Sequence, residues 1–272
     1  MKPLALITGS TGFIGSTTTL RVLEAGYRVR LVIRREQQAD KLRRILSQYV
    51  DDLDFITVPD LTISGCYDRA LRDVEYVLHI ASPLPTPGNT DLLTPAVKGT
   101  TSMLQSALEV SSIRKVVITS SVLAFVPLNS ANDGLEVTEN DEVECSFDSS
   151  KVPDLDPMAQ YHISKLASHK ATLEIAEQNH PHFDIVTLHP VYVFGRNILQ
   201  ETADEIGGTP GMLFQSLMSD KPLVGQFRGV HINDVAEAHV RALRDDVKGL
   251  NSYLLASESR SWVDVAKFLR ER

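Results

Sequence analysis

Eight residues near the start of the chain, Thr8-Gly9-Ser10-Thr11-Gly12-Phe13-Ile14-Gly15, restrict its fold more than any other stretch. A short apolar run, Leu4-Ala5-Leu6-Ile7, precedes them, and an amphipathic segment follows as far as Ala25, where Gly26 stops it. The order is therefore strand, glycine turn, helix. Gly9 permits a tight turn, Gly12 lets backbone N–H groups approach an anion with no Cβ in the way, and Gly15 lets the helix pack close to the strand. An anion at that turn meets the positive end of the helix. Gly-x-x-Gly-x-x-Gly is a variant of the dinucleotide fingerprint, so Gly9, Ser10, Thr11, Gly12, Phe13 and Ile14 are expected to hold a pyrophosphate.

The stretches that follow repeat the alternation. Arg28 to Ile33 reads as a second strand, closed by Arg34. An acidic residue here would bind a ribose 2′-hydroxyl, whereas an arginine accommodates a 2′-phosphate. Arg34, followed by Arg35 and with Lys41 as a second cation, favours NADP; the plainer reading is a solvated basic patch. Asp54 to Val58 is a third strand, and Pro59-Asp60-Leu61 stands at its C-terminal end, where open α/β sheets gather ligands. Asp60 is suited either to an adenine amino group or to capping a helix that begins near Ser64. Glu75 to Ile80 is a fourth strand, and Ala81-Ser82-Pro83 after it are small enough to lie along a cofactor. A helix over about 92–110 leads to a fifth strand, Lys115 to Ser120.

Strands alternating with helices in this way predict an α/β fold, a Rossmann-type doubly wound parallel sheet. A sixth strand runs from Phe183 to His189, after which the rhythm weakens. Glycines and prolines between Gly207 and Gly229 suggest a smaller C-terminal substrate lobe; Asn233 to Arg244 and Ser261 to Leu269 look helical, and Leu250 to Ala256 looks like a strand. The expected division is a cofactor-binding domain over 1–189 and a mainly substrate-binding lobe over 190–272, with 230–256 partly returning to the first domain. Residues 123–157 carry nine acidic side chains, Asp133 among them, against the single Lys151 and show little periodicity, as a lid or active-site loop would. Their acidity fits a solvated outer face better than a substrate-reading one.

The 272 residues carry a formal net charge of −8, which argues against nucleic acid as a partner. No apolar run approaches membrane-spanning length, and no secretory leader precedes the first strand. Cys66 and Cys145 suggest neither a disulfide framework nor a metal site, which fits the cytoplasm. His180 and His182 flank Pro181 in a helix-to-strand turn and read as solvated.

A helix over about 157–178 carries Tyr161 and Lys165 at i and i+4, and so on one face. The spacing alone is weak. Its place is more telling, one element after a strand that ends in Ser120 and Ser121, on the helix expected to border the cofactor.

Taken together, Thr8 to Gly15, His79-Ile-Ala-Ser-Pro83, Thr119-Ser-Ser121, Tyr161-x-x-x-Lys165, Pro190-Val-Tyr-Val193 and His231-Ile-Asn-Asp-Val235 resemble the extended short-chain dehydrogenases/reductases. The likeness spans essentially the whole chain and is strongest to the dihydroflavonol 4-reductase and cinnamoyl-CoA reductase branch, including its fungal ketoreductases. It implies that Tyr161 is the general acid, that Lys165 lowers its pKa and holds the nicotinamide ribose, and that Ser121 bonds the carbonyl oxygen. It further implies that Ile80, Ala81, Ser82, Pro190 and Val193 line the cofactor. The implied activity is NADPH-dependent reduction of a ketone or aldehyde in a small aromatic or polyketide-like metabolite of secondary metabolism, by a monomer or homodimer. The alternatives are a nucleotide-sugar epimerase/dehydratase on the same scaffold, against which Arg34 weighs, and a non-catalytic NADP(H) sensor. The chain departs from the pattern in having Lys98 where the family often has Asn, and in ending several dozen residues before typical members.

Overall fold

The computed structural model describes residues 2–85, 91–128, 130, 135–219 and 226–271. Its centre is a parallel sheet of seven strands. The first six are β1 (Leu4–Thr8), β2 (Arg28–Ile33), β3 (Leu53–Thr57), β4 (Tyr76–His79), β5 (Lys115–Thr119) and β6 (Asp184–Pro190). They lie side by side as β3-β2-β1-β4-β5-β6, and a later strand, β10 (Leu250–Leu255), extends the sheet beside β6. All of the pairings in this sheet are parallel. The chain reverses its direction of winding between β1 and β4, and the C-terminal ends of those two strands therefore frame a crevice.

Strand periodicity sorts the core into two layers. Ala5 and Ile7 of β1 face a cluster completed by α1 (Phe13–Glu24), α2 (Gln38–Ile45) and α6 (Ile232–Ala242), through Val22, Leu42 and Ala242. Leu4 and Leu6 face the opposite cluster, built with Met103, Leu104 and Ala107 of α3 (Leu93–Leu108). Ile175 of α4 (Pro157–Asn179) packs on that second layer. The two layers together bury apolar side chains on both faces of the sheet, as a doubly wound fold requires.

The C-terminal part adds smaller pieces: β7 (Tyr192–Phe194), α5 (Gly208–Leu217), β8 (Gln226–Phe227), β9 (Gly229–His231), β11 (Arg260–Ser261) and α7 (Trp262–Arg270). β7 pairs in parallel with β9, and β8 pairs antiparallel with β11. Val193, Val230, Ile232 and Val235 form a third small core, against which Phe13 and Ile14 pack. This joins the C-terminal pieces to the glycine turn.

Two expectations need correction. No regular helix starts near Ser64: residues 61–74 form consecutive turns, such as Asp68 N–H to Gly65 O and Leu71 N–H to Tyr67 O. Gly65 and Asp73 take φ of 73° and 62°, a left-handed backbone that a right-handed helix cannot contain. The segment over 123–157 is also not wholly irregular. It opens on a 3₁₀ turn, Val122–Phe125, and closes on another, Ser149–Asp154, whose Val152 is buried. Several of its acids end local turns: Asp148 accepts from Ser150 N–H, Asp141 from Thr138 N–H, and Asp156 caps α4 through Met158 and Ala159 N–H. Asp133 lies outside the described residues.

Candidate active site

The glycine turn closes on itself. Gly9 takes φ 75°, and its carbonyl accepts from Gly12 N–H at 2.9 Å. A Cβ at Gly9 would lie 2.7 Å from Ala81 N, and one at Gly15 only 2.1 Å from Gly9 O. The turn is therefore pressed against β4's exit on one side and against its own helix on the other. Gly12 caps α1 with an extended backbone and no side-chain bond, and the first turn holds no acidic residue. The leading N–H groups of α1 thus face outward with the helix dipole behind them, which suits an anion. Ser10 Oγ is buried beside them with no hydrogen bond among the described residues. A cradle that a Cβ would fill, an uncapped helix start and an orphaned hydroxyl together fit a dinucleotide pyrophosphate.

Thr8 fixes the other wall. Its Oγ1 accepts from Ile80 N–H at 3.1 Å and Ala81 N–H at 3.0 Å, so its proton goes to His79 Nδ1 at 3.0 Å. Burial pushes the His79 imidazole down to about 4 and keeps it neutral. These supporting residues escaped the sequence reading, although His79 opened one of the motifs it used.

At the C-terminal edge of β2 and β3, Asp60 accepts from Thr62 Oγ1 at 2.7 Å and Thr62 N–H at 2.8 Å. Those two bonds, helped by the charges of Arg34 and Lys98, hold its carboxyl below the usual range. Asp60 therefore ends a local turn, and there is no helix for it to cap. Arg34 is exposed, and its backbone N–H is held by Gln38 Oε1 at 2.9 Å. Arg34 and Asp60 thus share one corner with Leu61, which is half-buried. Lys41 does not join them. Its Nζ lies 3.5 Å from Glu205 and 3.7 Å from Glu201, and Arg44 also pairs with Glu201. Lys41 therefore ties α2 to the 201–205 segment, a destination set by a loop 160 residues further along the chain.

Ser121, Tyr161 and Lys165 meet at the rim of the same crevice. Ser121 follows β5 and starts a 3₁₀ turn, its Oγ accepting from Leu123 N–H at 3.3 Å. Its side chain lies near enough to the Tyr161 phenol to lower the phenol's pKa. Lys165, one turn along α4, donates from Nζ to Ser82 Oγ at 2.9 Å and lies 5.4 Å from the centre of the Tyr161 ring. The neighbouring Ser120 Oγ is buried without a partner among the described residues and does not reach the phenol. Pro190 is buried at the end of β6, level with Leu255, and Val193 is buried in the small core behind Phe13 and Ile14.

Burial pushes the Tyr161 phenol up to about 12; the Ser121 side chain opposes this and Tyr192 adds to it. At neutral pH Tyr161 is therefore a phenol, the form that can give a proton. Lys165 is itself pushed down to about 8 by burial.

That shift has a consequence for stability. A lysine whose folded pKa is below its unfolded value costs stability at pH values below about 8, and the cost is relieved as pH rises from there towards 10.5. Lys165→Met is expected to unfold later than wild type in urea at pH 7, by on the order of 2 kcal/mol after the lost Ser82 bond is counted. The gap should narrow at pH 10. A less stable variant at pH 7 would mean that the ammonium is better paired than its contacts indicate.

A six-strand parallel order with a glycine turn at the end of β1 defines the dinucleotide-binding class of α/β proteins. Within that class, the chain belongs to the NAD dependent epimerase/dehydratase family, whose model matches residues 5–256. It is 40% identical over 279 residues to a ketoreductase of Aspergillus fumigatus, covering 98% of this chain and 83% of that protein. The structure of Gre2 from Candida albicans in complex with NADPH superposes with a TM-score of 0.85 at 27% identity, covering 99% of this chain and 82% of that one. Vestitone reductase from alfalfa superposes with a TM-score of 0.80 at 25% identity, covering 99% of this chain and 82% of that one.

Proposed function

We propose that this protein is an NADPH-dependent reductase that converts a ketone or aldehyde group of a small aromatic or polyketide-like molecule to an alcohol. The observation that carries this reading is the Tyr161 phenol beside Ser121, with Lys165 behind it, on the rim of the crevice that the glycine turn opens. The names of the fungal ketoreductase and of the NADPH complex of Gre2 support it. Residues 1–189 would bind the cofactor, with 190–272 mainly on the substrate side; β10 accounts for the partial return of 230–256 to the sheet.

When bound, the reduced nicotinamide supplies a hydride to the carbonyl carbon. The chain's own residues manage the oxygen. Ser121 and Tyr161 donate hydrogen bonds to it as negative charge develops, and Tyr161 then transfers its proton to complete the hydroxyl. Lys165 places a cation under the site and holds Ser82 beside the cofactor's path. Gly9 to Ile14 hold the pyrophosphate, and Ile80, Ala81, Ser82, Pro190 and Val193 border the nicotinamide half. Arg34 reads the 2′-phosphate while Asp60 and Leu61 border the adenine. Among the described residues no helix is long and apolar enough to cross a membrane. We place the protein in the cytoplasm on the strength of its two free thiols, Cys66 and Cys145, and expect a monomer or homodimer.

The test is calorimetric titration with NADPH and with NADH, followed by NADPH consumption against a panel of aryl ketones and aldehydes. Tight NADPH binding with turnover is the expected result; NADH preference with sugar-nucleotide turnover, or binding without any turnover, would overturn the reading. Arg34→Ala is expected to weaken NADPH by ~10–100-fold, the worth of a charge-assisted phosphate contact, and NADH by no more than about threefold. Equal losses for both cofactors would show that Arg34 does not read the phosphate.

A further inference from the structure

His189 is fully buried in β6, and the steps just proposed do not use it. Its Nδ1 lies 3.0 Å from the carbonyl oxygen of Ser121. A carbonyl can only accept, so Nδ1 carries the proton and Nε2 is the accepting nitrogen of a neutral ring. Thr187 Oγ1 lies 2.8 Å from Nε2 and must donate to it, and Ser252 Oγ, 2.8 Å from Thr187 Oγ1, then donates to Thr187. The proton order is thereby fixed along a chain from β10 through β6 to the corner after β5. Burial pushes His189 far down, to about 3, with His169 and Lys165 adding to the effect, so the ring does not gain the second proton that would break the order.

The same ring is clamped on two sides. Phe125, from the 3₁₀ turn that Ser121 begins, lies 4.5 Å away between ring centres, and His169, one turn beyond Lys165 on α4, lies 4.8 Å away. The Ser121 carbonyl accepts a second bond, from Ala124 N–H at 3.0 Å, which closes that turn. Both lone pairs are in use, one for the turn's own shape and one for its attachment to the sheet.

We propose that His189, held in one tautomer by Thr187 and Ser252, is a positioning residue for Ser121: its bond to the Ser121 carbonyl fixes where the Ser121 hydroxyl points. This rests on the reductase reading. Without the Nδ1 donor the turn keeps its internal bond and the attachment of Ser120 N–H to Leu188 O at 2.7 Å, but the Ser121 residue itself loses its tie to β6, and its hydroxyl can shift from the substrate oxygen. Misplacement of a catalytic group by about 1 Å costs up to ~100-fold in rate.

The experiment compares wild type with His189→Leu, which has no donor, and His189→Asn, whose amide can donate to the same carbonyl. The leucine variant should lose ~10–100-fold in kcat with NADPH affinity within about twofold of wild type. The asparagine variant should recover most of the rate, which a role in packing alone would not produce. Folded leucine and asparagine variants with equal kcat, or a leucine variant with wild-type kcat, would overturn the proposal. If the leucine variant fails to fold, Thr187→Val takes its place: it frees Nε2 to take the proton from Nδ1, and kcat should fall by about tenfold at unchanged NADPH affinity. A Thr187→Val enzyme with unchanged kcat would then overturn it. Wild type that binds NADPH and reduces no carbonyl compound would instead remove the reductase reading, and this proposal with it.

Discussion

Tyr161→Phe is expected to lower kcat for ketone reduction by about 10²–10⁴-fold, the usual contribution of a positioned general acid, with NADPH affinity within about twofold of wild type. The substitution removes one oxygen atom and keeps the ring, which is half-buried against Lys165. Its cost should therefore fall on the proton transfer rather than on the fold. The lost oxygen also lies beside Ser121, whose hydroxyl faces the same substrate oxygen in the proposed reaction. Ser121→Ala separates the two contributions, since it leaves the proton donor in place. Burial keeps Tyr161 protonated well above neutral pH, so the pH dependence of reduction between 6 and 9 should show no loss attributable to this group. Stopped-flow single turnovers read the chemical step directly. A Tyr161→Phe enzyme that reduces ketones at the wild-type rate would end the assignment of Tyr161 as acid.

The alternation of strands and helices was legible because a buried parallel strand must be apolar on both faces, and short runs such as Lys115 to Thr119 are hard to place otherwise. Ser121 and Tyr161, forty positions apart, could be named together because topology brings the exits of consecutive elements to one edge of such a sheet. What the sequence hid has a common physical cause. Lys41 has a sound position for a phosphate contact, but Glu201 and Glu205 reach it from a loop whose path no local pattern encodes. The segment after Asp60 has helix-like composition, yet two left-handed residues turn it into separate turns. The bond of Lys165 Nζ to Ser82 depends on the direction of the side chain, which the i, i+4 spacing leaves open. His189 gave the faintest signal, a histidine at the apolar end of a strand, where a buried imidazole must find partners for both nitrogens.

Gly15→Ala should both destabilise the fold and abolish cofactor binding. The added methyl would sit 2.1 Å from Gly9 O and 2.5 Å from Gly9 C, both backbone atoms of the turn, and no rotamer change can relieve the clash. Either α1 moves off β1 or the turn opens, and both movements pull the leading N–H groups away from a pyrophosphate. Overpacking a core typically costs ~1–3 kcal/mol, and here the obstruction is backbone, so about 3 kcal/mol or more is expected. At ~2–4 °C per kcal/mol that is a fall in Tm of roughly 6–12 °C, with NADPH binding lost in calorimetry. Gly12→Ala is the informative contrast. Its methyl would approach nothing closer than Gly9 O at 3.3 Å, and Gly12 already has an extended backbone. The folded protein should tolerate it, with Tm within about 3 °C of wild type, because the misfit is worth no more than ~1 kcal/mol. The methyl would nonetheless project where the phosphate must approach, so NADPH should bind at least ~10-fold more weakly, the equivalent of about 1.4 kcal/mol. Tight NADPH binding by Gly12→Ala would mean that the pyrophosphate does not sit on the start of α1, and the cofactor reading would fall with it.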